Sequence, residues 1–98
     1  MKKFVFLYNV GNEDENTKEQ GDHWMNWFHT ISKSVVDIGN PLVGGKDVRA
    51  NKAIDVTLNM GMVSGYSIIN APDMQAAIEL AKGCPNKNGL KIYESVPM

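Results

Sequence analysis

Met62-Val63-Ser64-Gly65-Tyr66-Ser67-Ile68-Ile69-Asn70, followed at once by Ala71-Pro72-Asp73, joins a strand to a helix and decides the fold. Branched and aromatic side chains recur through the first part, and they suit a pleated surface better than a helical one. Asp73 then offers a carboxylate where a helix needs a cap. Met74, Ala77, Ile78 and Ala81 share one face of a short amphipathic helix, which Gly83 ends and Pro85 keeps from resuming. Leu90 to Val96 reads as the closing strand.

Upstream of that junction, Leu42-Val43-Gly44-Gly45-Lys46-Asp47-Val48 reads as an irregular second strand with a bulge at the paired glycines. Ala53 to Leu58 either extends it or forms an extra strand. Phe4-Val5-Phe6-Leu7-Tyr8 reads as a first strand that runs into the polar stretch Asn9 to Asn16. Thr17-Lys18-Glu19-Gln20 has the form of a capping box, with the threonine oxygen accepting an early backbone N–H and the glutamine reaching back. Trp24, Trp27, Phe28, Ile31, Val35 and Ile38 then follow at steps of three and four. They predict one long helix that stops at Gly39.

The order is therefore β-α-β-β-α-β, an α+β domain spanning 1–98. Two helices cover only one face of a four-stranded sheet, yet the first and third strands carry apolar residues on both faces. The second face needs cover, and another copy of the chain packed sheet to sheet is the simplest supply.

The composition narrows the partners. Over 98 residues, ten basic and eleven acidic side chains give a net charge of −1, with no long block of either sign to attract nucleic acid or an anionic membrane. The apolar run behind Lys2-Lys3 stops at Asn9, short of the roughly 7–15 residues of a secretory signal core and the roughly 20 of a membrane span. A single cysteine, Cys84, forms no intrachain disulfide, and a reducing cytoplasm is the expected location.

Several of these stretches, taken in order, resemble the YCII-related proteins. They are Gly65-Tyr66-Ser67-Ile68-Ile69, Ala71-Pro72-Asp73, Ala77, Leu80-Ala81, Gly83-Cys84-Pro85 and the closing Tyr93-Glu94-Ser95-Val96-Pro97. The first strand and the Trp24–Trp27 helix fit that family's opening. The resemblance implies a ferredoxin-like fold in a dimeric α/β-barrel arrangement. Asn59-Met60-Gly61-Met62 stands where one subgroup carries Asp-Gly-Pro-Phe. In some relatives a His–Asp pair is proposed as catalytic, and one branch is associated with lyase-type dehydrochlorination. The family's histidine is carried over to His23; its aspartate is carried to no position.

His23 lies on the border between the helix stripe and solvent. A neutral imidazole there can act as a general base near neutral pH, or simply cover part of a tryptophan. Asp37, fourteen residues on, would lie about 21 Å away on one straight helix, so a dyad needs the helix to end early or a partner from elsewhere, such as Asp47, Asp55 or the second subunit. His29 follows His23 by six residues, a spacing that does not suit a helical metal pair, and no metal is expected. Cys84 reads as a small packing residue. Gly44-Gly45-Lys46 lacks the spacing and the hydroxyl of a phosphate loop, and no cofactor is called for. Ser64 and Tyr66, with Trp24 or Trp27 above them, are candidates to line a cleft between helix and sheet.

Two functions follow. One is a dimeric module that binds a small organic ligand through Trp24, Trp27, Ser64 and Tyr66. The alternative is a lyase or isomerase in which His23 moves a proton on a small organic substrate.

Overall fold

The computed structural model describes residues 1–10, 18–58 and 61–98. The capping box at Thr17 and the motif position at Asn59-Met60 fall outside or at the edge of these residues. The elements run β1 (Lys2–Asn9), α1 (Lys18–Thr30), a short 3-10 turn (Ser32–Ser34), β2 (Val35–Asp37), β3 (Lys46–Arg49), β4 (Lys52–Asp55), β5 (Val63–Ala71), α2 (Met74–Ala81) and β6 (Leu90–Ser95). A four-stranded antiparallel sheet in the order β2-β5-β1-β6 carries the two helices, an arrangement compatible with a ferredoxin-like fold. No helix among the described residues is long and apolar enough to cross a membrane.

Alternation along the two central strands builds the core. Phe4 pairs with Ile69, Phe6 with Ser67 and Tyr8 with Gly65, so these side chains share one face of the sheet. Phe4, Phe6 and Ile69 are wholly buried there, against Trp27 and Ile31 from the first helical region and Ala77 from α2. Each such side chain stabilises the fold by roughly 1.5–3 kcal/mol. Trp27 ties the two helices together, because its indole N–H donates to the Leu80 carbonyl at 3.0 Å. Asp73 caps α2 as its sequence position predicts, accepting the Ala76 N–H at 2.8 Å.

The long helix expected as far as Ile38 is corrected. α1 ends at Thr30, whose hydroxyl bonds back to the Asn26 carbonyl at 2.9 Å, and Val35–Asp37 is an edge strand paired with β5. The Val35-Val36 pair is better accommodated in a ladder than in a fourth helical turn. The periodicity misled because Ile31 and Val35 do reach the same core, one from the helix end and one from the strand.

The second strand expected over Leu42–Val48 is corrected too. That place in the sheet belongs to β2, while β3 and β4 form a separate two-stranded hairpin. Of the two readings for Ala53–Leu58, the extra strand describes the hairpin's second arm. Arg49 pairs with Lys52 across a two-residue turn whose first residue, Ala50, has φ of 52°. Lys46 and Asp55 form an ion pair across the hairpin's open end.

Opposite the helices the sheet is only half covered. Val5, Leu7, Tyr66 and Ile68 are partly exposed, and Tyr93 on β6 is 57% exposed. A cluster of asparagines closes the end of the sheet. Asn86 donates to the Asn9 carbonyl at 2.8 Å, Asn88 to that of Val10 at 2.8 Å, and Asn9 to that of Asn88 at 2.8 Å.

Candidate functional site

A cleft of about 320 Å³ opens between α1 and the end of the sheet where β2 leaves β5. Tyr8, Trp24 and Phe28 form its aromatic side, and Ile38, Gly39, Asn40 and Pro41 form its rim. Gly65, flanked by Ser64 and Tyr66, completes it.

The aromatic side is held by ring contacts from α1 to β1. Trp24 meets Tyr8 edge to face with centroids 5.0 Å apart and lies 5.7 Å from Phe28, geometries that add modest stabilisation beyond burial. Trp24 and Phe28 occupy successive turns of one helix face and remain partly exposed, so their rings are accessible from the cleft.

The rim is held by a buried polar relay. The Tyr8 hydroxyl donates to Ser67 Oγ at 2.8 Å, and the Ser67 hydroxyl, itself 0% exposed, donates to the Ile38 carbonyl at 2.5 Å. Both hydroxyls are thereby satisfied away from water. Asp37 accepts the Gly39 N–H at 2.8 Å, and Leu42 N–H reaches the Ser64 carbonyl at 2.9 Å. The segment from Ile38 to Leu42 is thus anchored along its length to β5.

Burial, the largest influence on the Tyr8 hydroxyl, pushes its pKa up to about 12, with Ser67 acting in the opposite direction. An unfolded tyrosine titrates near 10, so between about pH 10 and 12 the unfolded chain has lost a proton that the folded chain keeps. Stability contributed by neutral Tyr8 is complete below pH 10 and declines above it. Tyr8→Phe is expected to be less stable than the parent at pH 8. The gap should narrow by on the order of 1–2 kcal/mol as urea unfolding is followed up to pH 11.5, allowing for partial screening. A gap that stays constant would mean the hydroxyl is not held in the protonated form.

Trp24, Ser64 and Tyr66 do border one cleft, though by different routes. Strand alternation sets Ser64 and Tyr66 on the opposite face from Tyr8, and they flank the opening that Gly65 leaves. The Ser64 hydroxyl is turned to the backbone, donating to the Tyr8 and Asn9 carbonyls at 3.2 and 3.3 Å. Trp27 is elsewhere: at 5% exposure it belongs to the core and does not line this cleft.

His23 is also elsewhere. It is exposed on α1 beside a shallow, open depression bordered by Asn26, Trp27, Thr30, Gly83 and Pro85. Among the described residues it makes no hydrogen bond or ion pair. Asp37 lies on β2, as an early helix end requires, but its carboxylate engages Gly39. Asp47 pairs with Arg49 and Asp55 with Lys46, both on the separate hairpin. Among the described residues no group of three or more His, Cys, Asp or Glu side chains converges on a point. Burial pushes the Cys84 thiol up, against a smaller lowering from the Asn86 backbone, which disfavours a thiolate.

The relay through Ser67 and the anchoring role of Gly39 were missed in the sequence. The only trace was a serine and a glycine interrupting otherwise apolar runs. No protein-family model, curated protein or solved structure gives a significant match to this chain.

Proposed function

We propose that this protein is a small-molecule-binding or accessory module of YCII-like, ferredoxin-like type that pairs with a second copy through the half-covered sheet face and works in the cytoplasm. The observation that carries the reading is the cleft beside Trp24. It is concave, largely apolar and pre-formed, with its rim tied to the sheet by hydrogen bonds made before any ligand arrives. The lyase or isomerase alternative needs His23 to find a carboxylate or hydroxyl partner, and among the described residues it has none.

Amide and indole resonances followed during titration with a set of small organic compounds separate the two. A binding module is expected to shift Gly39, Gly65 and the Trp24 indole N–H without consuming the compound. Trp24→Ala should weaken binding by at least about tenfold, the loss of one aromatic contact of about 1.4 kcal/mol. His23→Ala should leave it unchanged. Turnover that disappears in His23→Ala would instead establish the enzyme.

A further inference from the structure

The cleft's chemistry specifies the charge of what it holds, an inference that rests on the binding reading above. Tyr8, Trp24, Phe28, Ile38, Pro41 and Gly65 contribute rings, hydrocarbon or bare backbone, and no described lining residue carries an ionised side chain at neutral pH. Two of the three lining hydroxyls are already committed, and that of Tyr66 makes no hydrogen bond among the described residues. Tyr8 gives its proton to Ser67, and Ser64 gives its own to the Tyr8 and Asn9 carbonyls. Gly39 N–H is taken by Asp37. The side chain of Asn40, exposed on the rim, makes no hydrogen bond among the described residues, so its amide NH2 and carbonyl oxygen are both available at the edge.

We infer that the cleft takes an uncharged, flat aromatic molecule of about one or two fused rings, with any hydrogen-bonding group directed to Asn40 or the Tyr66 hydroxyl. A carboxylate or phosphate placed against these walls would be stripped of water with no cation to replace it. A neutral ring incurs no such cost and is received by the edges and faces of Trp24 and Phe28. The volume of about 320 Å³ sits at the low end of ligand pockets, which limits the occupant to this size.

Indole, indole-3-acetate and tryptamine share one ring system and differ in charge, so they serve as probes. Each is titrated into the full chain while the Gly39 and Gly65 amides and the Trp24 indole N–H are followed. Indole is expected to bind at least tenfold more tightly than indole-3-acetate and tryptamine, and Asn40→Ala is expected to weaken it by a few-fold with the spectrum otherwise unchanged. Equal or tighter binding of tryptamine would overturn the charge assignment in favour of a cation held on the aromatic faces. Equal or tighter binding of indole-3-acetate would overturn it in favour of an anion. In either case the cleft stands as a binding site. Absence of shifts from all three probes at millimolar concentration would overturn the binding reading along with the inference.

Discussion

Gly39→Ala is expected to destabilise the fold by about 2–5 kcal/mol, the sum of a left-handed backbone penalty and an overpacking penalty. Gly39 has φ of 79°, where a side chain meets its own backbone. The second contribution is larger and particular to this site. A Cβ at Gly39 would stand 1.7 Å from the Tyr66 carbonyl oxygen and 2.6 Å from its carbonyl carbon. Those atoms belong to the central strand β5 and cannot swing aside as a flexible side chain would, so the rim itself has to lift. For a domain of this size the midpoint of thermal unfolding should fall by roughly 10–30 °C. Gly44 supplies the control, since its φ of 67° is similar and nothing lies within 4 Å of a Cβ there. Gly44→Ala should cost only the backbone share, about 1–2 kcal/mol. If urea unfolding gives the two variants the same stability, the rim is not seated on Tyr66. The displaced rim also carries Ile38 and Asn40, so Gly39→Ala should weaken indole binding under conditions where the variant remains folded.

The elements that were legible in the sequence are those whose local signals agree with their tertiary surroundings. β5 and α2 are the clearest case: branched residues in a run, an aspartate at the cap, then apolar steps of three and four, all pointing the same way. The elements that were not legible lie between Thr30 and Asp55. There Ile31, Val35 and Ile38 keep a helical period, but the chain has already left the helix, because pairing with the exposed edge of β5 outweighs continuing the period. Strand and helix satisfy the same apolar demand, so periodicity alone does not distinguish them. The consequence for the site is direct. With α1 ending at Thr30, Ile38 to Pro41 become a rim, and the cleft exists because the helix stops.

Half of the site was readable for a similar reason. Trp24 and Trp27 fall on the same apolar stripe, and nothing in the sequence separated them as candidates to stand above Ser64 and Tyr66. Trp27 is claimed by the core, where it packs against Phe6 at a centroid distance of 6.4 Å. Ser67 gave no signal at all, since a serine facing a core is recognisable only when its acceptor, the Ile38 carbonyl, has been brought across from another strand.

Ile68→Asp is expected to convert the proposed dimer to a folded monomer. The side chain lies on the sheet face away from the helices, opposite Val5 across the β1–β5 ladder, and takes no part in the buried core. Its loss should therefore leave the protomer's stability nearly unchanged, as is usual for substitutions away from the core. In a two-fold interface the substitution occurs twice, and two buried, unpaired carboxylates at about 2–3 kcal/mol each weaken association by roughly a thousandfold or more. The proposed face offers Val5, Leu7, Tyr66 and Ile68 at its centre and Tyr93 toward one edge, with Lys3 and Lys91 on the same side of their strands. That is an apolar middle with a polar margin, as interfaces of roughly 800 Å² per partner display. Sedimentation equilibrium of the parent and Ile68→Asp at micromolar concentration reads the result directly, with circular dichroism to establish that both are folded. A parent that sediments as a monomer at 100 μM would remove the sheet face as a pairing surface. A variant that stays dimeric would place the contact elsewhere, with the exposed β3–β4 hairpin, where Val48 is 67% and Ile54 56% exposed, as the next surface to substitute.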